Sequence, residues 1–302
     1  MKKLLLTTTM AAGLALSGQA AATPFYLDLT DDSTVNPRGA IDALGLQYDS
    51  VSEVNTLTGQ ITSRGGLGLI GYTFNGSNAG FTDLADLVLS DDGAIQNTFT
   101  YDPEPNNLGV DIGAAPTIVV TALTFDFELD GFLNPGGDSV TYTGGVLDIY
   151  SYQYSYNFFD PDNITVVANS DDLLIKSEFS TSSIQPGHQA IESLITEVSI
   201  TNSGKEMFYF EGNSGFVSFE DYISASLTDI LLYAKQTVEA GELANAIANP
   251  IDEIIDPVNG NTVLISDNHA VTVEFRVPEP STVAVLGLGL ISMFGFSRRS
   301  KK

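Results

Sequence analysis

The sequence predicts an all-β protein, an antiparallel β-sandwich or jelly-roll-like domain with one short helix. Apolar residues occupy every second position of residues 123–130 and again of residues 271–277. This alternation is typical of antiparallel strands that bury one face and expose the other. Clusters of Gly, Pro, Asn and Asp separate these segments from shorter apolar runs, as expected for many strands joined by turns. Together these observations favour a sandwich or jelly roll.

The remaining elements follow from the same patterns. A further strand is predicted at residues 194–200, and shorter ones at residues 68–74, 98–101, 139–143, 173–179, 207–210 and 263–266. Turns are predicted at residues 75–76, 91–93, 134–137, 143–145, 160–163 and 202–204. The helix is predicted over residues 237–248, where Asn249-Pro250 would end it. Residues 81–89 fit either one helical turn or a strand.

The predicted domain, residues 23–276, is strongly acidic. The chain has 38 acidic residues and 12 Lys or Arg. Glu279 and six of the cations lie in the two ends, so the domain has 37 acidic residues against six cations, a formal net charge of −31. Nucleic-acid phosphates would be repelled by such a domain, which argues against nucleic acid as a partner.

The chain contains no cysteine. A domain outside the cytoplasm would then depend on its core alone, without disulfides. The same observation excludes thiol enzymes, Cys-ligated zinc sites and iron–sulfur proteins. The 17 Phe and 12 Tyr supply large apolar surface for that core.

Residues 1–22 have the features of a secretory signal peptide. Lys2 and Lys3 form a basic start, residues 4–16 are mainly apolar, and Ala20-Ala21-Ala22 matches a cleavage site. Cleavage after Ala20 fits nearly as well as cleavage after Ala22. The predicted partners are therefore the Sec translocon and signal peptidase.

The carboxyl end, residues 277–302, combines three features. Two prolines in Val277-Pro278-Glu279-Pro280-Ser281 disfavour helix and leave this segment extended. Residues 281–297 carry no charge, and as a helix they would measure about 25 Å, slightly short of a bilayer core. The last five residues include four cations, which would keep this end on the cytoplasmic side. These cations are Arg298, Arg299, Lys301 and Lys302.

This three-part end resembles the PEP-CTERM sorting domain of Gram-negative bacteria. Residues 277–281 match the V-P-E-P-S signature of that family, and the apolar run and Arg298-Arg299 match the rest in order. The resemblance covers only residues 277–302. It implies that an integral-membrane exosortase cuts near the PEP motif and passes the protein to the cell surface. It also implies a setting of exopolysaccharide production, biofilm formation or flocculation.

Four tyrosines alternate with polar residues in residues 150–157. They are Tyr150, Tyr152, Tyr154 and Tyr156. One interpretation is a carbohydrate-binding platform, because aromatic faces offer flat apolar area. The interpretation that we favour from the pattern is a core strand, with the tyrosines facing inward and Ser, Gln and Asn facing water.

Aspartate-rich turns raise the alternative of calcium binding. Asp160, Asp162 and Asn163 form the most compact set, and oxygen ligands on loops suit Ca²⁺. The run does not fit the EF-hand pattern, and Asp and Asn also stabilise turns locally. No other cofactor is predicted.

Evidence for catalysis is weak. His188 and His269 lie in polar segments predicted as loops, and no G-x-S-x-G motif is present. We therefore predict a non-enzymatic exported protein that passes transiently through the inner membrane to the cell surface or extracellular matrix. Extracellular polysaccharide is a candidate partner. A carbohydrate- or calcium-binding lectin-like module is the alternative, and a secreted hydrolase is a weaker one.

Overall fold

Antiparallel strands make up most of the described chain in the computed structural model. The structure describes residues 21–28, 38–74, 76–89, 95–96, 117–135, 139–157, 160–167, 171–185, 188–212, 214–226, 229–237 and 262–277. The strands are β1 (Ala21–Ala22), β2 (Phe25–Leu27), β3 (Arg38–Ile41), β4 (Leu44–Asn55), β5 (Gln60–Gly66), β6 (Thr73–Phe74), β7 (Ser77–Asn78), β8 (Ile95–Gln96), β9 (Thr117–Leu133), β10 (Val140–Asn157), β11 (Asp160–Val166), β12 (Asp172–Lys176), β13 (Glu178–Gln185), β14 (His188–Ile195), β15 (Phe208–Gly212), β16 (Gly215–Ser218), β17 (Ile230–Thr237) and β18 (Thr262–Val277).

Helices are short in this part of the chain. They are α1 (Leu84–Leu89), α2 (Asn202–Lys205) and α3 (Phe219–Ser226), with 3-10 turns at Leu67–Leu69 and Glu197–Ser199. The helix predicted over residues 237–248 lies outside the described residues beyond Thr237, which ends β17. Helix α1 confirms the helical interpretation of residues 81–89.

One large sheet closes on itself. Its strand order is β11-β10-β9-β5-β4-β18-β17-β14-β13. Strand β12 pairs with β10, and its continuation β13 pairs with β14 at the far end of this order. Only Ser177 separates β12 from β13, so this continuous segment joins the two edges of the sheet. The closed sheet therefore has an inner face, which holds the main core, and an outer face.

A second sheet packs against the first. Its order is β16-β15-β2-β3. Its Phe25 and Phe208 share the main core with Phe219 of α3 and with residues of β9, β10, β14, β17 and β18. The all-β prediction is thus confirmed. The sandwich or jelly-roll arrangement is not confirmed, because strand pairing continues around one closed sheet.

The alternation in β9 works as predicted on one face only. Leu123, Phe125, Phe127 and Leu129 are all buried in the main core. On the opposite face Glu128 and Asp130 are exposed, but Thr124 is fully buried. The outer face of the large sheet is therefore covered in part, and period-two alternation does not separate core from solvent here.

Several local predictions are wrong. The strand predicted at residues 68–74 is limited to Thr73–Phe74, because residues 67–69 form a 3-10 turn. The turn predicted at residues 160–163 lies in strand β11. Residues 194–200 do not form a strand, because β14 ends at Ile195 and a 3-10 turn follows, in which Thr196 and Ser199 cap each other. Residues 202–204 begin helix α2. Residues 143–145 form a β-bulge inside β10, where Gly145 has φ 130° and a side chain would collide with the Glu128 carbonyl.

Candidate functional site

The first residue of the sorting segment, Val277, belongs to the folded domain. Strand β18 pairs with β4 over residues 262–273 and with β17 over residues 271–276. At its end, Arg276 and Val277 pair with Ala22 and Ala21 of β1. Next to them the Thr23 N–H donates to the Phe275 carbonyl at 3.0 Å. The domain therefore extends to Val277, and the PEP segment follows without a spacer.

Phe275 fixes this end of β18 in the core. Its side chain is fully buried. Its ring centroid lies 4.7 Å from that of Phe25, 5.1 Å from that of Phe219 and 5.7 Å from that of Phe208, each pair in an edge-to-face arrangement. Aromatic pairs favour this geometry, so the end of β18 is held by the second sheet and by α3.

Arg276 is held on the other face. Its guanidinium donates to the Glu274 carboxylate, with an Nη2 to Oε2 distance of 2.9 Å. The guanidinium carbon lies 3.3 Å from the centre of the Tyr233 ring, in a cation–π contact. Side chains on both faces of β18 therefore make contacts with the rest of the domain just before Pro278.

The rest of the sorting prediction lies outside the described residues. This applies to Pro278, Glu279, Pro280, Ser281 and the basic end, which comprises Arg298, Arg299, Lys301 and Lys302. Where the structure is described, no helix has the length and apolar character needed to cross a bilayer. The predicted span, residues 281–297, is not part of that description, and neither are residues 1–20 of the predicted signal peptide.

The tyrosine row lies on the outer face of the large sheet. The register places Ser151 opposite Leu123 and Tyr150 opposite Thr124. Directly opposed residues share a face, and Leu123 lies in the main core, so Ser151 faces inward and the tyrosines face outward. Ser151 is 5% exposed. The favoured interpretation, with tyrosines inward and polar residues in water, therefore holds only in part: Tyr152 is buried and Gln153 is exposed, but Ser151 is buried against the main core.

The four tyrosines differ in how far they are covered. Tyr152 is 4% exposed, whereas Tyr150, Tyr154 and Tyr156 are half-buried. Ring centroids lie 6.1 Å apart between Tyr152 and Tyr154 and 6.3 Å apart between Tyr154 and Tyr156. Burial raises the pKa of Tyr150 and of Tyr152 to about 12. Tyr150, Tyr154 and Tyr156 therefore offer part of their surface to a ligand, and Tyr152 offers almost none.

An acidic pair on the same face was missed by the sequence analysis. The register places Asp148 of β10 directly opposite Asp126 of β9. Asp148 is 6% exposed and accepts a hydrogen bond from the Ser177 N–H at 3.1 Å. Burial raises the pKa of Asp148 to about 6; the Ser177 N–H opposes this shift, and the charge of Asp126 adds to it. Burial also raises the pKa of Asp126, against the effect of the Gly68 N–H.

No sequence signal could have identified this pair. The alternation within each strand shows which of its residues share a face. Which residue of β9 lies opposite Asp148 of β10 depends instead on the register of the β9–β10 hairpin and on its bulge. Chemically, a buried carboxyl group beside a second carboxylate binds a proton more readily than an ordinary aspartate, because burial and the neighbouring charge both raise its pKa. The pair lies beside Ser177, at the point where β12 passes into β13 and the sheet closes.

The predicted calcium ligands do not lie in a loop. Asp160, Asp162 and Asn163 belong to strand β11, whose pairing with β10 is irregular beside Asn157. Their side chains are outside the described part. Among the side chains that are described, no group of three or more His, Asp or Glu is placed to hold a metal ion. Calcium binding stays a prediction.

Both histidines also lie in strands, contrary to the predicted loops. His188 begins β14, opposite Thr237, and His269 lies in β18, opposite Tyr48. Their side chains are not described. The described residues therefore offer no arrangement around either histidine that supports the hydrolase alternative.

Comparison with known proteins bears on the carboxyl end. Residues 276–299 match the family model of the PEP-CTERM protein-sorting motif, which confirms the resemblance seen in the sequence. Searches of curated proteins and of solved structures gave no match. The motif indicates an exported surface protein that an exosortase sorts and processes. The chain thus carries a PEP-CTERM sorting signal joined directly to the last strand of a closed β domain.

Proposed function

We propose that this protein is a non-enzymatic component of the cell surface or extracellular matrix, presented there by exosortase processing. The observation that carries the proposal is the junction at Val277. Because the last described strand ends at this residue, a cut within residues 278–281 would remove the predicted membrane segment and leave every described strand intact.

The acidic domain suits an environment of extracellular polymers. A formal charge of −31 favours solubility and disfavours association with other acidic surfaces. The resemblance to PEP-CTERM proteins supports an association with exopolysaccharide, biofilm or flocculation. Exosortase, the Sec translocon and signal peptidase are the proposed partners, and Ca²⁺ is retained only as an alternative ligand.

The processing step is tested by replacing the motif. Substitution of Pro278, Glu279 and Pro280 by alanine should leave the full-length chain in the membrane fraction, because the exosortase loses its recognition sequence. Fractionation with immunoblotting measures this. The chain offers a matched control in Pro103-Glu104-Pro105, a second P-E-P sequence within the domain. Alanines at residues 103–105 should not change processing, and unchanged release of the 278–280 variant would refute the proposal.

The amino end gives a second test by mass. Cleavage after Ala20 keeps Ala21 and Ala22, which pair with the end of β18, whereas cleavage after Ala22 removes strand β1. We expect the mature chain to begin at Ala21, since each paired residue adds backbone hydrogen bonds. Intact-mass measurement of surface material would fix both ends, and a mature chain starting at Thr23 would contradict this expectation.

A carbohydrate-binding, lectin-like role is the second candidate. The tyrosine row supports it poorly, because Tyr152 is covered and the row only partly reaches solvent. A cleft on the smaller sheet supports it better.

A further inference from the structure

A polar cleft lies between the β15–β16 hairpin and helices α2 and α3. Its volume is about 590 Å³, within the range of roughly 300–1,000 Å³ found for small-molecule sites. It combines an aromatic ring with hydroxyl, carboxylate and ammonium groups. The principal lining residues are Lys205, Tyr209, Ser214, Phe216, Ser218 and Asp221.

Phe216 gives the cleft its aromatic surface. The side chain is 42% exposed, so a large part of its ring can be reached by a ligand. Its orientation is fixed by an edge-to-face contact with Tyr26, at a centroid distance of 4.9 Å. The Tyr26 hydroxyl in turn donates to Glu211 at 2.8 Å. The ring is thus held in place by one neighbour while much of its surface stays open to a ligand.

The polar groups around the ring are also positioned. The backbone N–H of Asp221 donates to the Ser218 hydroxyl at 3.1 Å, which sets the first turn of α3 at the cleft. The Lys205 ammonium lies 2.6 Å from the Glu220 carboxylate, so its charge is balanced within the protein. The exposed Asp221 carboxylate remains as a hydrogen-bond acceptor for a ligand.

The charge of the surroundings restricts the ligand. The hydroxyl of Tyr209 reports the charge around the cleft. Its pKa is raised, first by burial and then by the negative charges of Asp28, Glu206 and Asp221. With Lys205 paired to Glu220, the cleft has a negative potential. Acidic ligands such as uronic-acid polymers are therefore disfavoured.

We infer that this cleft binds a neutral or amino sugar unit of an extracellular polysaccharide. The flat face of a sugar ring packs on Phe216, and its hydroxyl or amino groups donate to Asp221. Aromatic side chains bind such apolar faces while polar groups at the rim fix orientation. The inference rests on the proposed surface role, which it deepens by naming the ligand class and its site.

The test measures glycan binding by the full-length chain purified in mild detergent, on an array of neutral, amino and uronic-acid oligosaccharides. We expect binding to at least one neutral or amino oligosaccharide and none to uronic-acid oligomers. Phe216→Ala should weaken this binding by about tenfold or more, which corresponds to about 1.4 kcal/mol. Asp221→Asn should weaken it as well, because a carboxylate is the stronger acceptor.

Val198→Ala is the matched control. Val198 is 89% exposed and lies in the 3-10 turn after β14. The variant therefore shows how much binding changes when an exposed apolar side chain is removed outside the cleft. Its binding should equal that of the unchanged chain, and circular dichroism should show all three variants folded. Binding only to uronic-acid oligomers, binding to no oligosaccharide, or binding unaffected by Phe216→Ala would each overturn the inference. Since the unprocessed chain is used, a failure of sorting would not affect this result.

Discussion

Two of the aromatic groups in this protein, the phenylalanines around Phe275 and the tyrosine row of β10, differ in where their members come from and in what they contribute. The phenylalanines around Phe275 come from both sheets and from α3, and they meet edge to face in the main core. The tyrosines of β10 come from one strand and form a row on the outer face, with rings about 6 Å apart. The first group is assembled from distant parts of the chain, whereas the second is local.

This difference indicates how much each aromatic group contributes to the stability of the domain. The phenylalanines connect β2, the second sheet and β18, so the folded domain is held together up to the residue where the sorting segment begins. The tyrosines cover an outer face that also holds Asp126 and Asp148, and their hydroxyl groups suit a partly hydrated surface. The core cluster should therefore dominate stability, and the row should contribute in proportion to burial.

The strongest test of this comparison is Phe275→Ala. Removing a fully buried phenylalanine loses its transfer free energy and leaves a cavity, so we expect the free energy of unfolding to fall by about 3–5 kcal/mol. Urea unfolding of the full-length chain in detergent measures it. Phe132→Ala is the control, since Phe132 is a partly exposed residue of β9. A loss of similar size in both variants would show that the cluster around Phe275 has no special role.

A smaller effect should separate the members of the tyrosine row. Tyr152→Ala should reduce the free energy of unfolding by about 2–4 kcal/mol because the side chain is buried. Tyr156→Ala should cost about 1 kcal/mol or less, because that ring is half-buried. The same unfolding measurement compares them. If Tyr156→Ala proved the more damaging change, burial would not be what sets the contribution of each ring.

The smallest effect concerns Asp148 beneath the row. Its folded-state pKa of about 6 lies above the value of roughly 3.9 in an unfolded chain. The folded state therefore binds the proton more tightly, and the free energy of unfolding rises as pH falls from 7 through 6 towards 4. Asp148→Asn should stabilise the protein at pH 7.5, since the amide oxygen can still accept from the Ser177 N–H.

Thermal unfolding across pH checks this expectation. A gain of about 1 kcal/mol corresponds to a Tm increase of roughly 2–4 °C for a domain of this size. The gain should shrink at pH 5, where Asp148 in the unchanged chain is already protonated. The control Asp130→Asn, at an exposed position of β9, should have little effect at either pH. An Asp148→Asn variant that is less stable at pH 7.5 would show that the charged carboxylate is needed.

Local patterns in the sequence predicted part of the fold correctly. The alternation in residues 123–130 and 271–277 located strands β9 and β18 and their core residues. It failed at residues 194–200, where Thr196 and Ser199 form a cap that competes with strand pairing. For the tyrosine row it was right only in part, because alternation defines two faces without stating which face is covered. Period-two reasoning assumes that one face meets water, and the buried Thr124 shows that this does not hold here.

By itself the sequence determined the class of the fold and the identity of the sorting signal, since both depend on the order of neighbouring residues. Tertiary structure alone decided the closure of the sheet at Ser177, the pairing of Asp126 with Asp148, the cleft beside Phe216 and the junction of Ala21 and Ala22 with the end of β18. Each of these requires contacts between residues far apart in the chain. Strand register and packing set such contacts, and a local pattern does not encode them.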